Sequence, residues 1–167
     1  MAIRDPLAIY LQDHHAGATF GVELVERCRR NNEGSEFSEP LRALADEIRS
    51  DRGTLRRLMH ALGAEPSRLK NSVAWASEKA QRLKLNGRLG GYSPLARVEE
   101  LESLAIGIAG KRALWELLEH VGRSLEGYDF AALRGAAEDQ LARVDSLRLR
   151  AAEKAFCSSD VMAPGRS

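Results

Sequence analysis

Leu101-Glu102-Ser103-Leu104-Ala105-Ile106-Gly107-Ile108-Ala109-Gly110-Lys111-Arg112-Ala113-Leu114-Trp115-Glu116-Leu117-Leu118 carries the pattern that decides the fold. Leu101, Leu104, Ile108, Trp115 and Leu118 follow one another at helical steps, and Lys111 falls where the same rhythm calls for an apolar residue. Alternating steps of three and four put side chains on one stripe of an α-helix, the stripe that packs against a neighbour. Working outward, three more stretches repeat the pattern: Leu7, Leu11, His14, Ala18, Gly21, Val25, Cys28; then Leu41, Leu44, Ile48, Asp51, Leu55, Leu58, Leu62; and Leu133, Ala137, Gln140, Val144, Leu147, Ala151. Each seam is interrupted near its middle by one polar residue. His14, Asp51, Lys111 and Gln140 are therefore expected to meet inside a bundle of four helices.

Turn and cap signals divide the chain to match. The first helix runs from about Pro6 to Arg30, with Asp5 as N-cap and Pro6 at its first position. Asn31, Asn32, Gly34 and Ser35 make a turn, Ser38 caps the second helix, and Gly63 stops it. The third helix starts near Ser93-Pro94 and ends around Gly122; the fourth follows Gly127, with Asp129 as cap, and reaches about Phe156. Between the second and third helices lies a long connection, residues 64–92, in which Pro66 to Leu83 reads as a shorter helix and Asn86-Gly87-Arg88-Leu89-Gly90-Gly91 as a turn-rich stretch. The expected organisation is one bundle over residues 1–157 and a flexible tail over 158–167.

Connection lengths set the topology. Two short loops make antiparallel hairpins, whereas a long connection can cross the whole bundle. A turn centred between Leu125 and Glu126 places Lys111 opposite Gln140, and one centred between Glu33 and Gly34 brings His14 within about one helical turn of Asp51. If the second and third helices run parallel, Asp51 and Lys111 differ in height by about 3 Å; a simple up-down-up-down course makes the mismatch worse by about 7 Å. The crossover topology brings the four polar residues towards one layer.

Composition bounds the function. The chain has 167 residues, enough for one substantial core, and is rich in helix formers with no alternating β-branched runs. That predicts an all-α protein. A formal net charge of +1 supplies no field to gather nucleic acid. The basic residues of the crossover (Arg68, Lys70, Lys79, Arg82, Lys84 and Arg88) are diluted by Glu65 and Glu78, so no nucleic-acid partner is expected. No apolar run approaches the roughly 20 residues of a membrane span, and no signal peptide is visible, so a cytoplasmic location is the default. Cys28 and Cys157 do not form a disulfide scaffold; Cys28, on the first seam, reads as a small buried apolar residue. Exposed apolar residues such as Trp75 suggest a homodimer through the crossover.

Tyr10-Leu11-Gln12-Asp13-His14-His15-Ala16-Gly17-Ala18, Asp51-Arg52-Gly53-Thr54-Leu55, Leu83-Lys84-Leu85-Asn86-Gly87-Arg88 and Gly110-Lys111-Arg112-Ala113-Leu114-Trp115 resemble small bacterial proteins of the ferritin-like superfamily. The resemblance covers nearly the whole chain except the tail. It implies a ferritin-like four-helix bundle whose long crossover between the second and third helices carries the extra helix. Di-iron members of that superfamily hold their metal with inward Glu residues and Glu-x-x-His pairs. Here the residues three before His14, His15, His60 and His120 are Leu11, Gln12, Arg57 and Leu117, none of them Glu. The di-iron motif is absent, and no cofactor is expected.

Two readings of the central layer follow. In one it is a hydrogen-bonded structural layer that fixes helix register, as a polar seam residue does in a coiled coil. In the other, His14 and Lys111 hold a small polar or anionic ligand of unknown identity. A metal-dependent oxidoreductase would draw on Asp13, His14, Glu23, Glu47 and Asp51, but Lys111 in the same layer would repel a cation. The small residues Ala16, Gly17, Ala18, Gly21, Gly107, Ala109 and Gly110 are expected to let the first and third helices approach closely. Glu116 and His120 read as a surface pair. The overall expectation is a non-catalytic structural or interaction protein.

Overall fold

A computed structural model describes residues 5–64, 92–121 and 127–157. The expected crossover helix Pro66–Leu83, Trp75 and the tail 158–167 lie outside them. Four α-helices account for the described chain: α1 (Pro6–Asn31), α2 (Ser38–Ala61), α3 (Pro94–His120) and α4 (Phe130–Phe156). No strand occurs among the described residues, and no helix there is long and apolar enough to cross a membrane.

Local chemistry fixes the helix ends. Asp5 accepts from the Leu7 N–H at 3.0 Å, Ser93 from Ala96 at 3.1 Å and Asp129 from Ala132 at 2.9 Å. Each satisfies an amide that the first helical turn leaves unpaired. The start of α2 departs from expectation: Phe37 holds the N-cap position with no side-chain cap, and Ser38 is already helical. Ser35 serves the turn instead, its hydroxyl accepting from the Phe37 N–H at 3.2 Å. Burial explains the substitution, since the Phe37 ring is 1% exposed and anchors the turn on the core. At the far end of α2, Gly63 takes φ +64°, the left-handed turn a helix stop requires. Its N–H reaches the His60 carbonyl at 3.0 Å, and Ala64 reaches Met59 at 2.8 Å.

Side-chain contacts set the helix directions. Arg27 near the end of α1 meets Glu100 near the start of α3, so these two helices run antiparallel. From the turn before α2 and on along it, Glu36, Glu47 and Asp51 meet Arg150, Arg143 and Gln140 of α4 in descending order, which is antiparallel as well. The Arg97 guanidinium sits 4.6 Å over the Phe37 ring, so α2 and α3 begin at the same end of the bundle. Thus α2 and α3 run parallel across a diagonal, as the crossover topology requires. The 24 residues of α2 amount to about 36 Å of rise.

Two apolar clusters fill the interior. One gathers Leu24, Val25, Phe37, Leu41, Leu44, Ile48, Leu101, Leu104, Ile108 and Val144. The other gathers Leu11, Leu55, Leu58, Met59, Leu114, Trp115, Leu118, Phe130 and Ala137. The seam residues that lie between them are the polar ones.

Candidate functional site

Between Ile48 and Leu55 on α2 stands Asp51; between Ile108 and Leu114 on α3 stands Lys111; between Ala137 and Val144 on α4 stands Gln140. The three close into a triangle. Lys111 Nζ donates to Asp51 Oδ2 at 2.5 Å and also to Gln140 Oε1. Gln140 Nε2 completes it, donating to the same Asp51 Oδ2 at 3.0 Å. Gln140 is 3% exposed, while the Lys111 and Asp51 side chains keep 16% and 19% of their surface. Burial pushes the Lys111 ammonium below its ordinary pKa, and the Asp51 carboxylate pulls it back up. An unpaired ammonium here would be far costlier, so the pair is the condition for burying either residue.

One turn before Asp51, Glu47 extends the network to the bundle edge. The two terminal nitrogens of Arg143 donate to its carboxylate at 2.9 and 2.5 Å, and this clamp holds the Glu47 carboxyl below its usual range. A shallow groove lined by Pro40, Ala43, Leu44, Val144 and Leu147 runs beside Arg143, but Asp51, Lys111 and Gln140 are not in its walls.

The fourth expected member of the layer does not join it. His14 packs edge-on against Tyr10 of its own helix, ring centroids 4.5 Å apart, and no hydrogen bond among the described residues links it to the triangle. Burial lowers its pKa against the opposing pull of Asp13. The other residues considered for metal are exposed or already paired. Asp13 and Glu23 are exposed, and Glu47 is held by Arg143. Among the described residues no group of three His, Cys, Asp or Glu side chains is placed to hold an ion. His15 is half-buried, and burial together with Arg52 and Arg56 lowers its pKa. Glu116 and His120 are both exposed, and Glu116 pairs with Arg112 at 3.5 Å. A Cβ placed on Gly17, Gly21, Gly107 or Gly110 would meet nothing within 4 Å, so these glycines are not needed for close helix packing.

Sequence reasoning missed a second polar cluster where α1 ends and α3 begins. Glu100, 5% exposed, receives Arg27 Nε at 2.7 Å, Asn31 Nδ2 at 3.5 Å and the Tyr92 hydroxyl at 3.0 Å. Asn32, 2% exposed, donates to Tyr92 at 3.0 Å and to the Cys28 carbonyl at 2.7 Å, and accepts from Arg97 Nε at 2.5 Å. Burial and the Glu100 carboxylate push the Tyr92 hydroxyl well up. Burial, with Glu100 adding to it, raises the Cys28 thiol, which keeps it an inert core residue. The Arg27 Nη2 atom is buried with no partner among the described residues. One signal was available: Tyr92 and the Asn31-Asn32 pair both flank helix ends that the parallel arrangement of α2 and α3 brings together.

Compared with protein-family models, with curated proteins and with solved structures, the chain matches none.

Proposed function

We propose that this chain is a non-catalytic bundle of ferritin-like type, a structural or interaction protein in which an ion-paired layer stands where di-iron relatives hold metal. Support for the architecture comes from the parallel diagonal pair α2 and α3, joined by a connection long enough to cross the bundle. The observation that carries the functional reading is Lys111. Its ammonium lies between the two apolar clusters, bonded to Asp51 and Gln140, and occupies the layer with a positive charge of the chain's own. A divalent ion placed there would face that charge at close range, where the low-dielectric interior screens little. Neither oxidoreductase chemistry nor small-ligand binding draws comparable support, because Lys111 is already bonded to Asp51 and Gln140, which bond each other in turn.

Elemental analysis of protein purified without chelator, before and after ferrous iron, tests the reading. The expected result is no stoichiometric metal in the wild type. Near-stoichiometric iron or manganese lost on Asp51→Ala would overturn it.

A further inference from the structure

We propose that the outward face of α3 is a pairing surface for a second copy of this chain. The inward stripe of α3 is spent on the core, yet the opposite face carries a second helical rhythm: Ile106, Gly110, Ala113, Leu117 and Val121. Ile106 is 64% exposed, Leu117 37% and Val121 51%, and Ala113 is exposed between them. A bundle helix ordinarily turns charged residues to that side. An apolar row at coiled-coil spacing instead calls for another helix.

The row is complementary to itself. Set two copies of α3 antiparallel about a twofold axis passing between residues 113 and 114. Gly110 then faces Leu117, Ile106 faces Val121, and Ala113 lies within one residue, about 1.5 Å of rise, of its own equivalent. A large side chain meets the smallest one on both sides of the axis, and the space beside Gly110 is open, since a Cβ there would meet nothing within 4 Å. Each Leu117 thus has a hole waiting in the other copy, the isologous arrangement a twofold dimer demands. Charge agrees with size. Arg112 and Glu116 pair within the helix at 3.5 Å, and the same axis brings Arg112 of one copy within one residue of the height of Glu116 of the other. Because Arg27 of α1 meets Glu100 of α3, antiparallel register puts Ile9, 42% exposed, at the height of Leu117 and Val121, where it widens the apolar surface. The row spans about 24 Å of helix, so the interface belongs at the small end of specific contacts, with a dissociation constant on the order of micromolar.

Sedimentation equilibrium of the full chain from about 1 μM to 1 mM brackets that affinity. A reversible monomer–dimer equilibrium is expected, and Ala113→Glu, which sets two carboxylates on the axis, should raise the dissociation constant at least about tenfold. Helical circular dichroism and melting temperature should be unchanged, since residue 113 is exposed. A cysteine at position 113, in a Cys157→Ser background, should oxidise to a covalent dimer, whereas Ser146→Cys on α4 should not. Monomer throughout the range overturns the proposal. So does a dimer that survives Ala113→Glu, or a dimer whose position-113 cysteines fail to link, because the pairing would then use another face.

Discussion

The two polar clusters of this bundle hold comparable chemistry in different places, and the difference decides which of them the sequence discloses. Asp51, Lys111 and Gln140 sit on three seams, each replacing an apolar residue in a row of helical steps. Glu100 sits on α3 beside Leu101, a flank that turns toward α1, and its partners Asn31, Asn32 and Tyr92 lie at helix ends and in the approach to α3. The middle cluster interrupts two apolar cores, and its inner charge pair, Lys111 and Asp51, must balance itself there, with Glu47 and Arg143 out at the bundle edge. The end cluster has more members, and Arg27 keeps a quarter of its side chain in solvent. A break should therefore be severe in the middle and graded at the end.

The largest effect should come from Lys111→Met alone, which strands the Asp51 carboxylate beside Gln140 and should cost about 3–5 kcal/mol of folding stability in denaturant titration. Adding Asp51→Leu should recover most of that loss, because a buried ion pair exchanged for apolar residues of similar volume is often neutral or stabilising. A harmless single variant would mean that the pair is not buried as a unit. Failure of the double variant to recover would mean that the layer contributes net stability beyond pairing.

Next in size stands Glu100→Leu. It removes the acceptor for Arg27, Asn31 and Tyr92 together, and a loss of about 2–3 kcal/mol is expected, below that of Lys111→Met because Arg27 can turn to water. Tyr92→Phe deletes one hydroxyl from the same cluster while keeping the ring under Arg97, and should cost about 1 kcal/mol. If Tyr92→Phe costs as much as Glu100→Leu, the end cluster behaves as one cooperative network and the contrast with the middle disappears.

How far the sequence disclosed the site follows from the same geometry. Helical steps register any residue that points at the core, so Asp51, Lys111 and Gln140 were legible, and connection lengths were enough to choose parallel α2 and α3. His14 shows the limit. It occupies a seam position on α1, yet its ring turns along its own helix to Tyr10, a choice of rotamer that spacing cannot reveal. Glu100 shows another limit, because the flank of a helix that faces a diagonal or adjacent partner depends on register between helices, not on the rhythm within one. The glycines of α1 and α3 were read as packing contacts because small residues allow close approach, but allowance is not contact, and the space beside them is open.

The smallest predicted effect separates His14 from the layer it was expected to join. Burial lowers the folded-state pKa of His14 and also that of His15. The unfolded chain, with an ordinary histidine near 6.5, then binds protons first as pH falls. Stability should accordingly be full above that value and decline as pH falls from about 6.5 to the depressed folded values, with no further loss from these groups below them. His14→Gln should remove its share of the slope between pH 7 and pH 5.5 in urea titrations, and leave the cost of Lys111→Met unchanged. Additivity of the two substitutions is the expected result, since residues without a shared partner act independently. Strong coupling between them would put His14 back among the groups that hold Lys111, and the layer would then have four members and not three.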